Sequence, residues 1–289
     1  MAIDVTIKQK IFRNKTMPLD VILGEKLHYG NFINDQLNIG ELGETEFIAY
    51  TPECIGRGFS VIWNPNEKKK IELRLPQPST AQELSEFYAT VERMVKYWNA
   101  KLIVDGCNVH LSDFLAGFSD MVEINNRIIK QLAQQVINGE HETLTLYSTM
   151  WPLAMGKDEA SCFLENTSQY AIWLHDKQTV DACYAIARFF TKENVFYARY
   201  TFMNGISFIF PRKPAVPFGA TDPFSGEPLQ CSDWRVLLEI DGETDPLGEI
   251  EYTDFISRIP ADKILKYDGD KFQLLRMNED EVRALIDTE

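Results

Sequence analysis

The sequence predicts an α+β fold of antiparallel hairpins packed on helices, arranged as two similar halves plus a shortened third unit. Three observations carry that expectation. Asp105-Gly106, Asn204-Gly205 and Asp268-Gly269 each stand between short apolar runs, the local signal for a two-residue hairpin turn. Two long stretches, residues 80–98 and 119–139, repeat apolar side chains at helical spacing. Similar segments recur 99 residues apart, as in Gly106 and Gly205, Leu75 and Leu174, Thr80 and Thr179, and Glu41 and Glu140. The alternative is that any α+β chain repeats strand-helix-hairpin segments, since ungapped identity between the halves is sparse.

The elements follow in order. "MAIDVTIKQKIF" alternates like a strand. Residues 19–40 form a poorer helix pattern, interrupted by Gly24 and Gly30, and "EFIAY" reads as a strand. "FSVIWNPNEKKKIELRL" is a hairpin pair whose lysine run, Lys68 to Lys70, reads as a solvated turn. Thr80 to Glu83 fits a capping box. The helix that follows puts Leu84, Phe87, Tyr88, Val91, Met94, Val95 and Trp98 on one face. Its other face carries Glu83, Glu86, Glu92, Arg93 and Lys96. Next come the Asp105-Gly106 hairpin and a second helix over 119–139, with Asp120 and Glu123 at its start and Gly139 past its end.

"TLTLY" reads as a strand, "SCFLENTSQYAIWL" as a hairpin-like pair, and the run from Thr179 to about Phe190 as a helix. "VFYARYTFMNGISFIF" reads as a hairpin. "WRVLLEI", "EYTDFISRI", "ILKYDGDKFQLL" and "NEDEVRALIDTE" complete the chain as strand, short helix, hairpin and helix. The expected division is residues 1–113, 114–212 and 213–289.

Composition narrows function more by exclusion than by indication. The 289 residues are 45% hydrophobic and 25% charged, enough for a core without disulfides. A formal net charge of −14 repels phosphate backbones, so no nucleic-acid partner is expected. No apolar run approaches a membrane span and the N-terminus lacks a signal-peptide core, so no membrane is expected either. Cys54, Cys107, Cys162, Cys183 and Cys231 are odd in number and lack a CxxC, which reads as reduced thiols in a cytoplasmic protein.

Only His28, His110, His141 and His175 are present, without metal-ligand spacing. No metal, cofactor or catalytic residue is assigned. "GRG" at Gly56 to Gly58 lacks the third glycine of a dinucleotide fingerprint and precedes a strand, so a bulge or tight turn is expected. Cys107 and His110 point to opposite faces of an extended strand, which favours a core cysteine and a surface histidine over a nucleophile pair. Asp268 and Asp270 lack the further ligands of a calcium loop and read as turn chemistry.

The strand-"PQPST"-helix-"VDG" stretch, "EYTDFISRIP" and "YDGDKFQLL" resemble an uncharacterised bacterial family, domain of unknown function 4299. The resemblance covers most of the chain in the same order. It implies a bacterial cytoplasmic protein and supplies no activity or site residue.

One stretch resists a packing explanation. Residues 211–234 hold five prolines, two glycines and no periodicity between two strands, and loops of that length are usually functional or disordered. It is either a linker or packed arm, or a binding site with Phe218, Asp222 and Phe224 as partner contacts. The leading functional expectation is a non-enzymatic interaction protein, adaptor- or immunity-like, with another protein chain as its partner. The alternative is a carboxylate-dependent hydrolase or a nucleotide-handling enzyme.

Overall fold

The computed structural model describes residues 1–10, 13–33, 36–64, 66, 69–192, 195–217, 220–222 and 225–286. Met1–Thr179 and Val180–Glu289 form two compact units. The first unit opens with β1 (Ala2–Lys8), α1 (Leu19–Leu23), β2 (His28–Ile33), β3 (Gln36–Ile39), β4 (Glu46–Tyr50), β5 (Phe59–Ile62) and β6 (Lys70–Pro76). α2 (Ala81–Trp98), β7 (Lys101–Val104) and β8 (Cys107–Val109) follow, then α3 (Leu111–Ala116) and α4 (Phe118–Ile137). β9 (Leu144–Tyr147), β10 (Pro152–Met155), α5 (Lys157–Glu165) and α6 (Gln169–Gln178) complete it.

Eight strands form one sheet in the order β3-β2-β4-β5-β6-β1-β7-β8, with every neighbouring pair antiparallel. β6 and β7 flank β1 and run parallel to each other, so their connection must cross the sheet, and α2 makes that crossing. Period-two alternation decides the two faces. Val5, Ile7, Phe47, Val61, Ile71 and Leu73 point into the core with the apolar face of α2, where Leu84, Phe87, Val91 and Met94 are fully buried. Thr80 caps α2 by accepting from the Glu83 amide at 3.0 Å, while the Glu83 carboxylate accepts from the Thr80 amide at 2.8 Å, the reciprocal pair of a capping box. Asp105 and Gly106 hold φ of 47° and 81° between β7 and β8, the left-handed pair that a tight hairpin turn requires.

The second unit contains β11 (Cys183–Tyr184), β12 (Arg188–Lys192), β13 (Val195–Met203), β14 (Phe208–Pro211), β15 (Asp233–Glu239), β16 (Gly248–Glu251), α7 (Tyr252–Arg258), β17 (Ile264–Lys266), β18 (Lys271–Leu274) and α8 (Glu279–Arg283). They make two four-stranded sheets, β11-β14-β18-β17 and β12-β13-β15-β16. β11 is parallel to β14 and β13 is parallel to β15. Its core is aromatic, with Tyr200, Phe202, Phe210, Tyr252, Phe255 and Phe272 buried together.

The α+β class and most elements agree with the sequence reading, and several assignments are corrected. Asn204-Gly205 joins two strands of different sheets rather than closing a hairpin, since β13 pairs with β12 and β15 while β14 pairs with β11 and β18. "YAIWL" lies in α6, where Tyr170, Leu174 and Gln178 fall at four-residue spacing on its buried face. Thr179 ends that helix instead of starting one, with its amide and hydroxyl both donating to the His175 carbonyl. The run from Thr179 to Phe190 holds turns and strands. "SCFLENTSQYAIWL" is two helices, and residues 19–40 are one short helix and two strands. The 99-residue offset therefore does not bring equivalent elements together: the helix capped by Thr80 corresponds to no helix beginning at Thr179. Cys107 is exposed rather than core. Lys68 of the lysine run and the last three residues lie outside the described residues.

Candidate functional site

A buried polar cluster grows from the loop between β4 and β5. Gly56 lies where a Cβ would stand 2.2 Å from the Glu83 carboxyl, and Gly58 has φ +67°. The two glycines are there for close approach and for a left-handed turn, so the "GRG" stretch is the tight turn expected, wrapped around an internal carboxylate. The amides of Arg57 and Gly58 donate to Glu83 Oε1, and that of Thr80 to Oε2. Burial pushes the Glu83 carboxyl above the usual carboxylate range, opposed by these three amides and by the Arg57 charge. The Cys54 thiol beside it is pushed up by burial and then by Glu83.

Helix α6 and the turn after β9 grip the loop from its other side. Gln178 Nε2 donates to the Gly56 carbonyl at 2.7 Å and to the Leu174 carbonyl at 2.9 Å, and its Oε1 accepts from the Met150 amide at 2.8 Å. Thr149 donates to the Gly56 carbonyl through both its amide and its hydroxyl, each at 3.1 Å. His175 Nδ1 accepts from the Ile55 amide at 3.0 Å, which places the acceptor nitrogen of the ring on this side. The Arg57 guanidinium reaches two carbonyls, Tyr147 from Nε at 2.9 Å and Pro78 from Nη1 at 3.2 Å. The buried Tyr170 hydroxyl donates to the same Pro78 carbonyl at 3.1 Å, and burial raises its pKa well above the usual phenol value.

This rigid floor carries a cavity of about 230 Å³ on the sheet face opposite α2. Strand register assembles its wall. Ile48 pairs with Ser60, and Ser60 with Arg74, so the three side chains form one row across β4, β5 and β6 on the outer face. Pro76, Phe32, Arg57, Gly58, Tyr147 and Ser148 complete the lining. Two arginines and no carboxylate line it among the described residues. Among the described residues Arg74 has one weak partner, Asp4 Oδ1 at 3.5 Å, with both side chains more than half exposed. Glu83 is the nearby carboxylate with a perturbed pKa, but its oxygens are taken up by three backbone donors behind the lining, so it is not presented to an occupant as acid or base.

The residues singled out from the sequence lie elsewhere. Phe218 and Phe224 fall outside the described residues. Asp222 lies beside the Thr221–Pro228 bridge, where its amide donates to the Glu227 carbonyl at 2.8 Å and its Oδ2 accepts from the Ser225 hydroxyl at 2.8 Å. Asp268 Oδ1 accepts from the amides of Asp270 and Lys271 at 3.0 and 2.8 Å, which is the turn chemistry expected. No disulfide joins the five cysteines, and no group of three potential metal ligands occurs among the described residues. No helix among them is long and apolar enough to cross a membrane. Sequence reading missed the cavity because its parts come from five separated segments. The legible clue was local: an arginine between two glycines, next to a strand.

A family model, domain of unknown function (DUF4299), matches residues 2–285, and the chain belongs to that family. No curated protein and no solved structure matches it.

Proposed function

We propose that this DUF4299 chain is a non-enzymatic binding protein whose occupant enters the cavity on the outer face of the first unit's sheet. One observation carries the reading: the cavity combines a fixed polar floor with two arginines, while the nearby perturbed carboxylate, Glu83, is fully engaged by backbone donors. A hydrolase of the carboxylate-dependent kind needs an acid or base within hydrogen-bond reach of the reacting bond, and Glu83 lacks that access. Rigid, hydrogen-bonded surroundings instead favour recognition, because little ordering cost remains to be met on binding.

Native mass spectrometry of gently purified protein tests the reading. A bound mass is expected on the wild-type chain, lost when Ser60→Trp fills the cavity and unchanged by prolonged incubation. Conversion of the bound species with time would replace the reading by an enzymatic one. A bound mass that persists in a folded Ser60→Trp chain would move the occupant elsewhere, with residues 211–234 the next candidate for a partner chain.

A further inference from the structure

The lining of the cavity specifies more than its existence. Its lining includes two arginines in a protein of net charge −14, so the recognition is local and opposed to the overall field. Arg57 is held in place by two neutral carbonyls and makes no ion pair among the described residues. Among the described residues Arg74 is tied only to the exposed Asp4, at a distance and exposure where an ion pair is worth little, and it can turn to an occupant at small cost. The Ser60 hydroxyl, directly across from Arg74, makes no hydrogen bond to a described residue. Phe32, Ile48 and Tyr147 supply the rest of the wall. A volume of about 230 Å³ lies below the range of drug-sized ligand pockets, roughly 300–1,000 Å³.

We propose that the cavity takes a small organic acid, its carboxylate set between the guanidinium groups of Arg57 and Arg74 with the Ser60 hydroxyl as a further donor, and its apolar body against Phe32, Ile48 and Tyr147. Planar guanidinium groups match the two oxygens of a carboxylate. An apolar wall of this size disfavours a bare, strongly hydrated inorganic anion. The acid can be a free molecule or the terminal carboxylate of a peptide, and both present the same chemistry. The proposal rests on the binding reading above.

Saturation-transfer NMR with benzoate, and with its neutral counterpart benzamide, tests it. Benzoate is expected to bind and benzamide to give no signal. Arg74→Gln, a change at an exposed position, is expected to weaken benzoate about tenfold, the effect of one charge-assisted hydrogen bond, while the protein's melting curve stays that of the wild type. A short peptide ending in Phe with a free carboxylate identifies the source: competition by the acid and not by its amide assigns a chain terminus, and competition by neither assigns a free acid. Equal binding of benzamide and benzoate, displacement of benzoate by inorganic phosphate at equal concentration, or no benzoate binding at all would overturn the assignment. The binding reading fails separately, by a bound mass that persists in the folded Ser60→Trp chain or is converted with time.

Discussion

The two units stabilise their interiors by different means. The first packs an amphipathic helix on an antiparallel sheet and adds a buried polar cluster, in which Glu83, Gln178, Thr149 and His175 each serve backbone groups of the Ile55 to Gly58 loop. The second fills its centre with rings: Phe210 lies within 6.5 Å, centroid to centroid, of Tyr200, Phe202, Phe208, Tyr252, Phe255 and Phe272. Apolar packing is tolerant of angle and stabilises in proportion to area, whereas a polar cluster stabilises only when every member is satisfied and then fixes one geometry. The candidate site stands on the second kind of interior, where a fixed loop is of use.

The largest effect should come from the aromatic core. Phe210→Ala removes a fully buried ring and is expected to cost about 3–5 kcal/mol, as for other buried aromatics, read from the denaturant midpoint. A cost under about 1 kcal/mol would mean that the second unit's centre is not a packed core. Glu83→Gln is nearly isosteric and tests the polar interior. A glutamine oxygen can still accept from Arg57 and Gly58, but its amide group faces the Thr80 N–H, donor against donor. One unsatisfied buried donor costs about 1–3 kcal/mol, so the loss should fall below that of Phe210→Ala. Wild-type stability in this variant would show that the cluster is not a determinant of the first unit.

The same pair of proteins carries a pH signature. The folded-state pKa of Glu83 is raised by burial above its ordinary value, so the native state holds its proton more tightly than the unfolded state does. The resulting stability is fully present below the unfolded pKa, about 4.3, and is lost as pH rises through the folded value. The stability of wild type minus that of Glu83→Gln, from urea titrations between pH 4 and 7, should therefore fall with rising pH. A difference that rises instead would show that the three amide donors outweigh burial at this carboxylate.

The difference between the units explains part of what was legible in the sequence, although residues 19–40 and "SCFLENTSQYAIWL", both in the first unit, also depart from their sequence patterns. In the first unit the sheet's neighbours are all antiparallel, and the signals that matter are local: the Asp105-Gly106 turn, the Thr80–Glu83 box and the helical face from Leu84 to Trp98. Each of these forms as read. In the second unit β13 and β15 pair in parallel, which requires a long connection. Most of the proline-rich segment lies within that connection, although Pro211 ends β14 and Asp233 and Trp234 open β15. Nothing in "FMNGISF" distinguishes a turn that closes a hairpin from one that sends the next strand into another sheet. Glu83 shows the same limit at the site. Its capping role joins residues three apart, whereas its hold on Arg57 and Gly58 spans 26 and 25 residues, and no local pattern announces the second role.

The smallest expected effect bears most directly on function. Arg74 lies on the outer face of β6, its side chain 64% exposed, with Asp4 at 3.5 Å as its ion-pair partner among the described residues. Exposed pairs of this kind contribute about 0–1 kcal/mol, and glutamine keeps two of the three methylenes of the arginine stem. Arg74→Gln should therefore leave the unfolding midpoint within about 0.5 kcal/mol of wild type, the range of neutral surface changes. Stability and recognition are thereby separated at one residue: the charge is present in the cavity wall, yet the fold does not need it. A loss of 2 kcal/mol or more, on the order of a buried charged hydrogen bond, would make Arg74 a structural group of the sheet and would remove the reason for regarding its charge as available to an occupant.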